Sequence, residues 1–116
     1  MRAHKDLELW QLALTLAEHV YGATKTFPSE ERFGLSSQMR RAAVSVASNI
    51  AEGAAGKSRQ EFLQFLHIAR GSLSELDTQV ILAMRLGFID RETELVDEIQ
   101  RVGRLLTGLI AKLKRN

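Results

Sequence analysis

The sequence has no cysteine and a single proline among its 116 residues. Without cysteine it can form no disulfide framework and no thiolate metal site. This composition is compatible with a reducing compartment, and we expect a cytoplasmic protein. No apolar run approaches the ~20 residues that cross a bilayer, so no membrane contact is expected. The opening MRAHKDLELW carries acidic residues where a secretion signal needs an apolar run, so we expect no such signal.

Metal-binding and catalytic motifs are also lacking. The three histidines, His4, His19 and His67, have no carboxylate or second histidine at ligand spacing. No Glu-x-x-His occurs, which excludes the di-iron site of some helical bundles. GAAGK does not have the spacing of a phosphate-binding loop. We therefore expect no cofactor, no metal and no enzymatic activity.

The remaining composition is ordinary for a soluble globular protein, with 45% hydrophobic and 26% charged residues. The length predicts one domain over residues 1–116. The net charge is +2 and the pI is near 9.3. A weakly basic chain permits nucleic acid as a partner, and an oligomer would multiply the charge.

Apolar residues recur at helical spacing in four segments, and no run alternates with the period of a β-strand. The segments run approximately from Asp6 to Thr24, from Leu35 to Ala54, from Ser58 to Leu86, and from an Asp90 cap through Leu113. Pro28 breaks the pattern between the first two, where a short helical turn is expected at Ser29 to Arg32. Short links between amphipathic helices predict an all-α, antiparallel up-and-down four-helix bundle.

Local signals set the expected ends and buried sides of these helices. Ser58 and Glu61 form a capping-box pattern, and Gly87 is placed to end the third helix. The buried seams of the second, third and fourth helices are expected at 35–50, 62–84 and 95–113. The first helix is expected to bury Trp10, Ala13, Leu14, Ala17, Val20 and Tyr21.

Two helices carry more apolar residues than one buried stripe requires. The surplus residues lie on a second side of the first and third helices. They are Leu9, Leu12 and Leu16, and Ile68, Leu82 and Leu86. Leucines stacked on a second side of two helices predict self-association. The alternative is a wide core within one bundle.

The second helix has a stripe of short polar residues where long charged ones are usual. Such residues let another helix approach closely and form hydrogen bonds across the contact. We expect a polar helix-contact network of Arg41, Ser45, Asn49, Glu52, Ser72 and Glu75. The alternative is a solvated face.

Basic residues gather on the fourth helix and at the amino terminus. No acidic residue follows Glu98. The candidates for phosphate contact are Arg101, Arg104, Lys112, Arg115 and Lys5. No aromatic residue lies among them, so base stacking has little support there. Two functions stay open: an oligomer that binds RNA or DNA, and a scaffold that binds another protein without touching nucleic acid.

Three stretches together resemble a known family. They are DLELWQLALTLAEHVY, FPSEERFGLSSQMRRAAVSVASNIAEG and EFLQFLHIARGSLSELDTQ. They are similar to the four-helix bundle proteins also called 23S ribosomal RNA intervening-sequence proteins, although Val46-Ala47 stands where members often have isoleucine and proline. The resemblance implies a helical bundle that assembles into a pentameric ring. It also implies a relationship to a bundle that binds nucleic acid and a reverse transcriptase in diversity-generating retroelements.

Overall fold

The helical periodicity of the sequence gives four α-helices in the structure, a computed structural model that describes residues 7–115. The helices are α1 (Glu8–Thr24), α2 (Leu35–Ala55), α3 (Arg59–Arg85) and α4 (Leu95–Arg115). A short 3-10 turn, Ser29–Glu31, precedes α2. Residues 7–115 contain no strand, and the expected all-α four-helix fold is confirmed. The up-and-down order stays a prediction, and Asp6 lies outside the described residues.

Each helix packs against two others. The pairs in contact are α1 with α2, α2 with α3, α3 with α4, and α4 with α1, and the α2–α3 contact is the most extensive. The body measures 46 × 23 × 20 Å. The 27 residues of α3, at ~1.5 Å each, therefore extend over most of its long axis. None of the helices within residues 7–115 combines the length and hydropathy that crossing a bilayer requires.

The buried sides of α2 and α3 are those that the periodicity predicts. On α2 the expected seam from Leu35 to Ile50 is buried throughout. On α3 the seam from Phe62 to Ala83 is buried, and Met84 packs against the core while partly exposed. On α4 the seam is buried from Leu95 to Leu106 and becomes partly exposed at Leu109 and Leu113. Apolar residues at helical spacing thus place three helices correctly.

The expected orientation of α1 is wrong in part, because Ala13, Ala17 and Val20 are buried as expected but the rest of the expected side is not. Its buried residues are Leu9, Ala13, Leu16, Ala17, Val20 and Thr24. Leu14 and Tyr21 are exposed instead, and Trp10 is half-buried. Both sides of α1 are apolar, and the side of leucines and small residues fills the core while Tyr21 keeps its hydroxyl near water. Leu9 and Leu16 therefore belong to the core of the subunit and cannot form part of an exposed second face.

A glycine sets the closest approach of α2 and α3. A Cβ added to Gly53 would lie 2.9 Å from Phe62 Cδ1, 2.9 Å from Phe65 Cβ and 3.3 Å from the Phe62 carbonyl oxygen. Distances under 3.0 Å are closer than real Cβ contacts, so only a hydrogen fits here. Gly53 lets the carboxyl end of α2 pack directly on the first turns of α3.

The ends of α3 follow the expected signals in large part. Ser58 Oγ accepts a hydrogen bond from the Glu61 N–H at 3.1 Å, which is half of the predicted capping box. The Glu61 carboxylate instead lies against Gly56. At the other end Gly87 has φ +78°, and the Phe88 N–H donates to the Ala83 carbonyl at 2.9 Å. This left-handed glycine ends the helix as predicted.

The start of α4 differs from the prediction. Asp90 does not cap the helix, because its Oδ1 accepts from the Glu92 N–H at 2.9 Å within a turn. The helix begins at Leu95, whose N–H donates to Thr93 Oγ1 at 3.2 Å. An aspartate can bond its own backbone two residues on, and here that local bond holds Asp90 away from the helix end.

Candidate functional site

The polar stripe of α2 meets α3 at a serine pair. The Ser45 and Ser72 hydroxyls lie 2.8 Å apart. Asn49 Nδ2 donates to the Ser45 carbonyl at 2.8 Å and to Ser45 Oγ at 3.0 Å. All three side chains are half-buried, so these bonds supply partners that the solvent does not fully provide. The structure thus brings together three members of the predicted network.

The three charged members of that network stay apart from it. Arg41, Glu52 and Glu75 are exposed, and none forms an ion pair within residues 7–115. Arg41 and Glu75 line a groove of about 490 Å³ between α2 and α3, together with Ser45 and Ser72. Gln79, further along α3, is buried with Oε1 unpaired among the described residues, which nothing in the structure explains.

The residues predicted to form a second, exposed apolar face are exposed at α3 but not on α1. Ile68 and Leu82 on α3, and Leu86 directly after its last residue, are each about half exposed, at spacings that keep them on one side of the helix. On α1, Leu12 packs against the core while partly exposed, and Leu9 and Leu16 are buried. The apolar side that α1 does expose carries Leu14 and Tyr21. We call Ile68, Leu82 and Leu86 the α3 apolar line.

The basic residues predicted on α4 lie on the side turned away from the core. Arg101, Arg104, Lys112 and Arg115 are all exposed. Arg101 Nη2 lies 3.8 Å from the Glu8 carboxylate, so its charge is partly offset. From Arg104 onward the helix has no acidic residue, and its last turn holds Lys112 and Arg115. Lys5 lies outside the described residues.

The structure has a further surface that was not predicted from the sequence. It is a groove of about 660 Å³ lined by Tyr21, Arg32, Phe33, Ser37, Arg40, Arg41, Val44 and Ser45. Phe33 is 87% exposed, and the Arg32 guanidinium lies 5.3 Å from its ring centroid. The Arg40 guanidinium lies 4.6 Å from the Tyr21 ring centroid. We call this surface the aromatic–arginine groove.

Arg40 is held in place by the end of α1. Its Nε donates to Thr24 Oγ1 at 2.8 Å, and Nη2 lies 3.4 Å from the Tyr21 carbonyl oxygen. Thr24 is buried and donates in turn to the Val20 carbonyl at 2.8 Å. The guanidinium is thus fixed over Tyr21 by the helix it packs on. The sequence signal was the adjacent Arg32-Phe33 and Arg40-Arg41, but nothing in the sequence joined them to Tyr21.

The comparisons with known proteins agree with this architecture. The family model of the 23S rRNA-intervening sequence protein matches residues 5–108. The chain belongs to this family. A similar solved structure is that of a protein of unknown function from the S23 ribosomal protein family of Bacteroides thetaiotaomicron VPI-5482. It has a TM-score of 0.82 and 25% identity, over 89% of this chain and 95% of that one. No curated protein matches the chain.

Two histidines of this 23S rRNA-intervening sequence protein have side-chain partners. His19 Nδ1 lies 2.7 Å from Glu98 Oε1, and His67 Nδ1 lies 3.2 Å from Arg70 Nη2. His4 is outside the described residues. Within residues 7–115 no three metal-ligating side chains are placed to share an ion. The surfaces with arranged groups are therefore the serine-lined contact, the α3 apolar line, the basic side of α4 and the aromatic–arginine groove.

Proposed function

We propose that this 23S rRNA-intervening sequence protein is a non-enzymatic homo-oligomer that carries nucleic acid on its basic surface. The copies pack through the α3 apolar line. A pentameric ring is the assembly that the resemblance of its sequence motifs implies. The nucleic acid contacts the acid-free half of α4 through its phosphates.

The observation that carries the assembly is the α3 apolar line. Ile68, Leu82 and Leu86 stand about half exposed on one side of the longest helix. Single exposed leucines are common, but three large apolar residues on one helix side, with Ser72 and Glu75 between Ile68 and Leu82, are better explained by a contact surface. Each such side chain gains about 25 cal/mol for every Å² of apolar surface removed from water. The neighbouring serines, short and already bonded, allow a second backbone to come near.

The support for nucleic acid is the charge pattern of α4. Arg104, Lys112 and Arg115 project from a helix segment without a compensating carboxylate. Lysine and arginine bind phosphate without reading base sequence, so this surface gives affinity rather than specificity. Repetition around a ring would place several such surfaces on one strand. The family description also names a ribosomal RNA context.

A charge in the α3 apolar line should dissociate the assembly. Leu82→Glu places a carboxylate where a neighbouring copy would remove water, so we expect the mass to fall toward the 13.0 kDa subunit. Light scattering measures the mass, and circular dichroism checks that the helices remain.

Ile81→Glu is the matched control. Ile81 is 43% exposed and Leu82 46%, on the same helix but on different sides. Ile81→Glu should retain the wild-type mass. The proposed contact is wrong if Leu82→Glu also retains it, or if the wild-type protein is already a well-folded single subunit.

The basic side of α4 should bind nucleic acid weakly and with strong salt dependence. Arg104→Gln with Lys112→Gln should lower the slope of log K against log salt by ~0.7 to 0.9 for each phosphate that the variant no longer binds. Mobility-shift titrations at several salt concentrations measure this slope. Arg91→Gln, beside Glu92 in the turn before α4, is the control and should change little. No retention of RNA or DNA at low salt would leave the assembly as a protein-binding scaffold and remove the nucleic-acid function.

A further inference from the structure

The aromatic–arginine groove combines two exposed rings with three guanidinium groups. Phe33 and Tyr21 supply the rings, and Arg32, Arg40 and Arg41 supply the charges. We propose that this groove binds single-stranded nucleic acid, with a base stacked on Phe33 and phosphates held by the arginines. The inference rests on the proposed nucleic-acid function but places strand recognition on residues remote from α4 in sequence.

Phe33 carries the base-binding part of the proposal. A side chain 87% exposed contributes almost nothing to the core of the subunit. Arg32 lies over one face of its ring at 5.3 Å, which leaves the opposite face to solvent. A base can stack on an open aromatic face whatever its identity, because every base has a π surface. Exposure of this degree beside an arginine is the arrangement that such stacking uses.

The arginines carry the phosphate-binding part. None of the residues that line the groove is acidic. The acidic residues nearest in sequence to Phe33 are Glu30 and Glu31, and Glu31 Oε1 accepts from the Leu35 N–H at 3.0 Å, which turns it toward the start of α2. Within residues 7–115, Arg32 and Arg41 form no ion pair. Both charges are therefore free of ion pairs within that range, and Arg41 also faces the neighbouring groove that Glu75 lines.

Arg40 provides order that surface arginines usually lack. Its bond to the buried Thr24 fixes Nε, and the Tyr21 ring covers one face of the guanidinium. A preorganised guanidinium loses less side-chain entropy when it binds. Nη2 lies 3.4 Å from the Tyr21 carbonyl oxygen, so Nη1 is the nitrogen left to donate to a phosphate oxygen, with Arg41 lining the same groove.

The geometry favours single strands over duplexes. In a duplex the base faces are stacked on one another and cannot meet Phe33, whereas a single strand turns its bases outward. The groove volume of about 660 Å³ is that of a small-ligand site, which suits one or two nucleotides. A basic surface that contacts phosphates alone, such as α4, should not make this distinction.

Fluorescence anisotropy of the full chain with labelled oligo-U, oligo-dT and a duplex of equal length tests the proposal. We expect single strands to bind more tightly than the duplex. Phe33→Ala should weaken single-strand binding about tenfold and duplex binding little, as removal of one stacked base predicts. Phe33→Trp should restore the single-strand affinity. Arg32→Gln with Arg41→Gln should lower the salt slope by about 0.7 for each phosphate that the arginines no longer hold.

Four outcomes are informative, and light scattering on every variant separates them. Weaker single-strand binding by Phe33→Ala at unchanged mass supports the groove. Wild-type binding by Phe33→Ala, with weakened binding only in the α4 variants, overturns the groove and keeps the proposed function. A drop in mass on Phe33→Ala at unchanged binding overturns the groove as a strand-binding site and assigns it to a contact between copies. No binding of any nucleic acid overturns both proposals.

Discussion

At the scale of single residues, Gly53 leaves no room for a larger side chain. The contacts of its missing Cβ are with the Phe65 Cβ and the Phe62 ring and carbonyl, at 2.9 to 3.3 Å. By contrast, a Cβ at Gly22, which also lies near the carboxyl end of its helix, would meet nothing within 4 Å. The two glycines occupy similar positions in their helices but differ in role. Gly53 allows two helices to touch, whereas Gly22 only weakens its own helix.

Gly53→Ala should destabilise the protein by about 1–3 kcal/mol, because the added methyl forces α2 and α3 apart. Gly22→Ala is the matched control and should be neutral or stabilise by up to about 1 kcal/mol, since alanine is the better helix former. Urea unfolding followed by circular dichroism measures both. Equal stability of the two variants would show that α2 and α3 can move apart without a loss in the free energy of unfolding.

At the scale of the helices, the sequence predicts the buried side of a helix well where only one side is apolar. On α2 the apolar residues from Leu35 to Ile50 recur at helical spacing with polar residues between them, and they are buried in the structure. On α1 both the Leu9–Leu16 side and the Leu14–Tyr21 side are apolar, and periodicity alone cannot choose between them. The choice depends on which side fits the neighbouring helices, which is a property of packing.

The candidate surfaces differ in a similar way, because a surface on one helix can be predicted from residue spacing and a surface built from several segments cannot. Ser45 and Asn49 are four residues apart on one helix, so their hydrogen bond follows from helical spacing. The α3 apolar line likewise follows from one helix. The aromatic–arginine groove joins Tyr21 of α1 to Phe33 before α2 and Arg40 on α2, so it depends on how the connection folds back. A surface built from several segments gives no periodic signal in the sequence.

At the scale of the whole molecule, the charges and apolar groups occupy different surfaces. The α3 apolar line, the basic side of α4 and the aromatic–arginine groove lie on different helices of the bundle. Assembly through α3 would leave the basic side of α4 accessible. The aromatic–arginine groove shares Arg41 and Ser45 with the groove beside Ser72 and Glu75 of α3, so it borders the contact. A ring could hold nucleic acid without losing the contacts between copies.

Assembly should make thermal stability depend on protein concentration. Burial of the α3 apolar line stabilises the folded chain only while copies are associated, so Tm should rise as the concentration rises. Scanning calorimetry over a wide range of concentration measures this. Leu82→Glu should show a Tm independent of concentration, and so should the wild type if the chain functions as a single subunit.

The elongated body also governs how the molecule rotates in solution. A subunit of 46 × 23 × 20 Å turns more slowly end over end than about its own length. Since α3 extends over most of the long dimension, its amide N–H bonds point nearly along that direction and sense mainly the slow rotation. Isolated subunits should therefore show longer apparent tumbling times for ¹⁵N nuclei in α3 than for those in the turn before α4. In a closed ring the symmetry axis replaces the long axis of the subunit as the main axis of rotational diffusion. The difference in tumbling time between α3 and the turn would change accordingly.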